Sequence, residues 1–287
     1  MLKQRIITAV VMLAILLPAL FYPSYVPFAL VALVLLAAGG WEWARLNGYG
    51  QAASLITAAV CALVCVASWY AGMILEPSRW LWAVAGGAWV LAAVWLLARG
   101  VPGWGAIPRP VRLFAGVIML WLAWLAVAQA RAIGVSFLLS VLVLVWAADI
   151  GAYFAGRAFG TRVFKNKLAP AISPGKSWEG AFGGMACVLL LGLAWMAWEA
   201  GRAVPAAAGQ GLSLYHQLSE RHGVLVMLLA LLLLSAMSVA GDLVESLIKR
   251  SAGAKDSSGL LPGHGGVLDR IDALLPVVPL AMMLSSF

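Results

Sequence analysis

A chain of 287 residues, 64% of them apolar and only 10% charged, is not a water-soluble globular domain, which is about half apolar and about a quarter charged. The formal net charge of +8 reads, in so apolar a chain, as the positive charge of a cytoplasmic membrane face. No nucleic-acid partner is expected from it.

The chain opens Met-Leu-Lys-Gln-Arg and then runs apolar from Ile6 to about Tyr22. No small-x-small site closes this run before Pro23, so it reads as a retained span rather than a removed leader. Apolar segments follow at about 25–41, 52–74, 80–98, 112–130, 134–156, 179–199, 223–248 and 268–286. Each lies near the ~20 residues that cross ~30 Å of hydrocarbon. The expected architecture is all-α: a polytopic integral membrane helix bundle of about nine transmembrane helices. Pro27 and Gly39-Gly40 leave 25–41 open to either a full crossing or a re-entrant turn. Breaks fall at Pro23, Asn47-Gly48, Glu76-Pro77, Gly100 to Pro110 and Gly134, and tryptophans (Trp41, Trp43, Trp80, Trp104, Trp178) mark span ends. Cys61, Cys65 and Cys187 sit in apolar runs without metal-ligand spacing and read as packing residues. Residues 1–133 form an N-terminal scaffold that could carry dimer contacts. Residues 134–287 form a C-terminal catalytic region with cytoplasmic loops at 157–178 and 249–267.

Charge supports this threading. With the N-terminus inside and nine crossings, the cytoplasmic side holds Lys3, Arg5, Arg45, Arg99, Arg109, Arg112, Arg157, Arg162, Lys165, Lys167, Lys176, Lys249, Arg250, Lys255 and Arg270. The other side holds only Arg79, Arg131, Arg202 and Arg221. One missing span would scramble this bias. It places the C-terminus outside.

Three stretches could carry chemistry. Ala148-Asp149-Ile150-Gly151-Ala152-Tyr153 puts an acid near the end of the sixth span, where it costs about 2.5–3.5 kcal/mol unless paired or hydrated. Asp149 is either a helix-packing hydrogen bond, with Gly151 and Gly156 allowing close approach, or the polar wall of a cytoplasm-facing cavity. The next loop carries Arg162, Lys165, Lys167 and Lys176 with no acid until Glu179. Positive-inside charge explains most of these. Ser173-Pro174-Gly175-Lys176-Ser177 also reads as a turn into a helix at Trp178, with Ser177 as N-cap, and a helix start beside Lys176 suits a phosphate.

The third stretch, Gly241 to Asp272, holds five of the chain's eleven carboxylates: Asp242, Glu245, Asp256, Asp269 and Asp272. Lys249, Arg250, Lys255, Arg270 and His264 lie among them. Asp242, Glu245 and Lys249 recur at i, i+3 and i+7 and so share one helix face, and Asp269 and Asp272 are again i, i+3. A structural salt-bridge network is the plain alternative, although one this large is expensive in a membrane. Carboxylates from separate elements suit Mg²⁺ bridging phosphates. The glycines of Leu261-Pro262-Gly263-His264-Gly265-Gly266 allow backbone to approach an anion. Together these features point to phosphoryl or nucleotidyl transfer at the membrane surface.

The run Ser246-x-Ile248-Lys249-Arg250, four residues, Lys255-Asp256, then Leu261-Pro262-x-His264-Gly265-Gly266-Val267-x-Asp269-Arg270-Ile271-Asp272 resembles the signature of phosphatidate cytidylyltransferases, the CDP-diacylglycerol synthases. Weaker similarity extends back through 173–180 and 148–153, although the family often has Lys in place of Gly175 and Thr in place of Ser177. Residues before about 140 are similar only in hydropathy. The resemblance implies CTP plus phosphatidate giving CDP-diacylglycerol and pyrophosphate, in a homodimer of the cell inner membrane. Mg²⁺ is implied, alone or with a monovalent cation such as K⁺ beside it.

On this reading Asp242 and Asp269 are the principal metal ligands, with Glu245, Asp256 and Asp272 as further ligands or their supports. Lys249, Arg250, Lys255 and Arg270 hold CTP or lipid phosphates, and His264 binds phosphate rather than moving a proton. Lys167, Lys176, Ser177, Asp149, Gly265 and Gly266 complete the substrate-binding set. Three rivals use similar residues: a CTP-dependent lipid kinase, a phospho-sugar transferase acting on polyprenyl phosphate, and an ion-coupled transporter. A transporter would place its acids near the midplane between repeats, whereas these crowd one end.

Overall fold

The computed structural model describes residues 2–201 and 212–287. They form eleven helices: α1 (Leu2–Phe21), α2 (Val26–Leu46), α3 (Gln51–Tyr70), α4 (Arg79–Ala106), α5 (Arg109–Ile133), α6 (Val135–Phe159), α7 (Trp178–Ala200), α8 (Leu214–His222), α9 (Val224–Ser251), α10 (Leu268–Ile271) and α11 (Leu274–Ser286). Lipid offers no partner to a bare backbone N–H or C=O, so an apolar chain satisfies these groups within helices. Helix starts follow local chemistry. Pro27 and Pro110 open α2 and α5, where a missing N–H costs nothing. Ser78, Ser177 and Ser213 cap α4, α7 and α8 through their hydroxyl oxygens.

Eight helices, α1 to α7 and α9, are long and apolar enough to cross a membrane. Helix α2 is continuous over the stretch whose prolines and glycines left a re-entrant turn open, and a Cβ at Gly40 would lie 2.8 Å from Cys61 Sγ of α3. The expected ninth span, 268–286, is broken. A turn at Asp272 and Ala273 separates α10 from α11, which has 13 residues, or about 20 Å of helix. Helix α11 packs on α4, α5 and α9 with Val277 to Met282 buried, so it is a core helix more than a lipid-facing one.

The two ends of the bundle are distinct. One gathers the ends of α2 and α9, the start of α5 and the loops after α6 and α9. Trp43 Nε1 donates to Arg112 O at 2.9 Å, and Arg250 Nε to Ile172 O at 3.4 Å. The opposite end brings Pro77, Arg79, Ile133, Arg221 and Ser285 around one cleft. Arg131, also there, donates to Leu20 O at 2.7 Å and to Tyr22 O. Three of the four cations expected on that side therefore lie at this end, Arg79 and Arg221 in the cleft and Arg131 beside it, while Arg202 lies outside the described residues. Trp43 and Trp104 are buried in an edge-to-face contact rather than set in a lipid interface.

Helices α6 and α7 pack backbone to backbone. A Cβ on Gly184 would stand 2.6 Å from Ala148 O, and one on Gly180 would stand 2.9 Å from Ala152 O. Small residues permit this approach, and it presses the turn before α7 against the end of α6.

Candidate functional site

That packing frames a cavity of ≈ 500 Å³ between α6, the start of α7 and α9, lined among others by Asp149, Tyr153, Arg157, Lys176, Ser177 and Asp242. Lys176 Nζ lies 2.6 Å from Asp242 Oδ2, with the two side chains 24% and 34% exposed. Both therefore remain reachable from the cavity. Ser177 takes the N-cap role expected of it, its oxygen accepting from Gly180 N at 3.1 Å. Asp149 feels the negative charge of Asp242 and the positive charge of Lys176. Its side chain stands in the cavity wall.

A second cluster lies along α9 toward its C-terminal end. Lys249 pairs with Glu245 one turn earlier, and its Nζ donates to Asp269 Oδ1 at 2.6 Å. Asp269 Oδ2 accepts from Ser257 N at 2.9 Å, Ser257 Oγ at 2.8 Å and Gly266 N at 2.7 Å. Burial acts to raise the Asp269 carboxyl, but the Lys249 ammonium and the Gly266 and Ser257 amides outweigh it and hold the group down at about 2. Asp269 thus locks the loop between α9 and α10. Gly265, at φ +85°, has room for no side chain: a Cβ there would sit 2.7 Å from Asp269 Oδ2.

The other wall of this loop is Glu42, a fully buried side chain on α2. It accepts four hydrogen bonds: from Ser257 Oγ at 3.2 Å, Ser258 Oγ at 2.5 Å, Val267 N at 2.9 Å and Leu268 N at 2.8 Å. The His264 turn is tied to α1 instead. Arg5 Nε donates to Gly263 O and Thr8 Oγ1 to Pro262 O, each at 2.9 Å. His264 Nδ1 is buried with no partner among the described residues.

Asp272 links the clusters. Its surroundings desolvate it, and the nearby Asp242 charge adds to that, so its carboxyl is pushed above the usual range while Lys249 pulls the other way. The structure therefore brings Asp149, Lys176, Ser177 and Asp242 into one cavity, and Glu245, Lys249, Asp269, Gly265 and Gly266 into the neighbouring cluster. The shared face expected of Asp242, Glu245 and Lys249 is divided between two partners, Lys176 and Asp269. Lys167 turns back onto Pro174 O at 2.5 Å, and Arg250 bridges Ile172 O and Ala254 O, each at 3.4 Å. Lys255, Asp256 and Arg270 are exposed at the same end.

Two acids escaped the sequence reading. Glu42 clamps the 257–268 loop, and Glu179 Oε1 accepts from Val163 N at 3.0 Å and Phe164 N at 2.9 Å, pinning the loop after α6. Glu42 carried the same signal as Asp149, a lone acid in an apolar run that must find partners.

The donor chemistry suits a divalent cation that shares its ligands with a substrate. Among the described residues no three His, Cys, Asp or Glu side chains converge to hold an ion unaided. Mg²⁺ in phosphoryl-transfer sites takes one or two carboxylates and completes its shell with phosphate oxygens and water. Asp242, half-exposed in the cavity, offers such a carboxylate.

Comparison with known proteins identifies the family. The model of the cytidylyltransferase family matches residues 3–287. A phosphatidate cytidylyltransferase of Pseudomonas aeruginosa is 41% identical over 97% of this chain and 95% of its own length. Those of Haemophilus influenzae and Brucella suis are 37% and 36% identical, again over 97% of this chain and over 96% and 91% of their own lengths. The chain belongs to the cytidylyltransferase family.

Proposed function

We infer that the protein transfers a cytidylyl group from CTP to phosphatidate, giving CDP-diacylglycerol and pyrophosphate. The observation that carries this reading is the cavity in which Asp242 and Lys176 face each other, beside a loop locked by Asp269. The phosphate of phosphatidate attacks the α-phosphorus of CTP. A phosphomonoester has a second pKa of about 6, so at neutral pH it is an anion and needs no base. The protein's task is to position two anions and offset their charge.

Lys176 stands where it can hold a phosphate oxygen, and Arg157, hydrogen-bonded to Tyr153 at 3.2 Å, lines the same cavity. Lys249, Arg250, Lys255 and Arg270 supply further positive charge around the neighbouring loop. Asp242 and Asp269 are the residues we assign to hold the metal; in the structure Asp269 Oδ1 pairs with Lys249. Asp272 and Asp149 lie beside Asp242. Glu245, buried against Lys249, and the exposed Asp256 take supporting roles. Mg²⁺ held there with the substrate phosphates would neutralise charge on the α-phosphate and on the departing pyrophosphate.

The site end faces the cytoplasm of the inner membrane, where CTP is found, and the bias of cations to that end supports this. Residues 1–133 serve as scaffold and 134–287 as the catalytic region of a homodimer. One experiment separates the rival chemistries. Purified protein is given phosphatidate, Mg²⁺ and CTP labelled at either the α- or the γ-phosphorus. Label from the α-position in the lipid supports cytidylyl transfer; label from the γ-position would mean a lipid kinase instead.

A further inference from the structure

We propose that Glu42 is a positioning residue for the transfer reaction, holding Asp269 and Lys249 in place through Ser257. The inference rests on the transferase reading above and extends it to a residue of the N-terminal scaffold. Glu42 lies in an apolar helix, where a buried carboxyl group is costly unless its oxygens are engaged. Both oxygens are engaged, and all four donors belong to the 257–268 segment.

The contacts continue toward the site. Ser257 Oγ lies 3.2 Å from Glu42 Oε2 and 2.8 Å from Asp269 Oδ2. The other oxygen of Asp269 holds Lys249, which also pairs with Glu245. An unbroken line of polar contacts thus runs from the inner face of α2 to α9. Gly266 is confined from the same two sides, since a Cβ there would collide with both Ser257 Oγ and Glu42 Oε1. The backbone N–H groups of Gly266, Val267 and Leu268 are thereby divided between two acids, the first to Asp269 and the next two to Glu42. Neither acid can shift without moving the segment that the other holds. Glu42 lines no part of the cavity at Lys176 and Asp242, so its influence on the reaction passes through Asp269 and Lys249.

Glu42→Gln keeps the size of the side chain but sets an amide N–H₂ against donors. Ser257→Ala removes the hydroxyl between the two acids and leaves Glu42 its three other partners. The measurements are kcat and KM for α-label transfer to lipid, together with hydrogen exchange of the 257–268 amides in the full-length protein. Both variants are expected to lose kcat about 10- to 100-fold, the scale for residues that orient primary ligands. KM for phosphatidate should stay near that of the parent, and exchange at 257–268 should rise. Glu199→Gln is the control. Glu199 is a buried acid bonded to Ser213 Oγ at 2.6 Å and to Trp195 Nε1 at 3.1 Å, and its loss should leave kcat unchanged.

Three results would overturn the proposal: faster exchange with kcat retained, lost kcat with exchange unchanged, or an equal kcat loss in Glu199→Gln. If Glu42→Gln does not fold, Ser257→Ala alone decides by the same criteria. A parent protein that moves no α-label would sink the transferase reading, while the exchange measurement would still show whether Glu42 holds the loop.

Discussion

Lys176 and Asp242 form an ion pair 2.6 Å long that joins the turn before α7 to α9. Neither side chain is fully buried, so the pair is exposed to screening and adds little stability. Under the proposed function its placement at the cavity wall matters more: the cation would release the acid and take up a phosphate. Lys176→Gln is therefore expected to cost activity without costing the fold. Loss of one charge-stabilising donor typically lowers kcat by about 10²–10³. The check is label transfer alongside thermal melting. A swapped pair, Lys176→Asp with Asp242→Lys, should remain inactive, because Asp242 does more than neutralise Lys176. Recovery of activity in the swap would reduce the pair to a structural contact.

The glycines of the loop should rank by the space around them. Gly266→Ala would drive its Cβ into Ser257 and Glu42, and Gly265→Ala adds a left-handed conformation to a clash with Asp269. Gly259 is the internal control, since a Cβ added there would meet no described atom within 4 Å. Activity should fall severely in the first two and stay near normal in Gly259→Ala. Equal losses at all three positions would show that the loop responds to something other than these contacts.

His264→Gln is expected to raise KM for CTP or phosphatidate more than it lowers kcat. The turn is held by Arg5 and Thr8 of α1, and the buried Nδ1 has no partner among the described residues; on the proposed function the ring binds a substrate phosphate. A general base would instead contribute about 10²–10⁴ in rate. Profiles of kcat between about pH 5.5 and 8.5 distinguish the two. A large kcat loss together with disappearance of the acid limb would establish proton transfer.

Topology is open to labelling. Asn166→Cys and Gly259→Cys, both exposed at the site end, should react with impermeant reagent from the cytoplasmic side alone. Glu76→Cys, at the opposite end, should react only from the other side. Labelling of all three from one side would contradict the proposed threading.

Much of this was legible in the sequence, for physical reasons. Hydropathy over ~20 residues reports a crossing directly, and the eight long helices follow it. The last segment differs in form. It runs from Asp269 at the site end to Ser285 at the other, but as two helices broken at Asp272 and buried against α4, α5 and α9. Hydropathy does not separate burial in protein from burial in lipid. Asp149 could be picked out because an acid in an apolar helix needs a partner, and Asp242 because it stands in a cluster of charge within an apolar chain. Lys176 and Ser177 could be picked out because Ser173 to Ser177 reads as a turn into a helix start. Which partner each would take could not be read from spacing. The i, i+3, i+7 pattern put Asp242 and Lys249 on one face, yet one turns to Lys176 and the other to Asp269, because α7 and the 257–269 loop approach α9 from different sides. Glu42 was the hardest to assign, since all four of its bonds reach residues more than two hundred positions away.

The most direct test of the central claim is the rate of α-label transfer from CTP to phosphatidate in Asp242→Asn. That variant keeps the size of the side chain and removes the charge that pairs with Lys176 and that the proposed metal would need. The parent protein and Glu220→Gln, altered at the opposite end of the bundle, should both form labelled lipid. Asp242→Asn, inserted and folded to the same extent, should form almost none. Near-parental transfer by Asp242→Asn would remove Asp242 from the reaction and contradict the account.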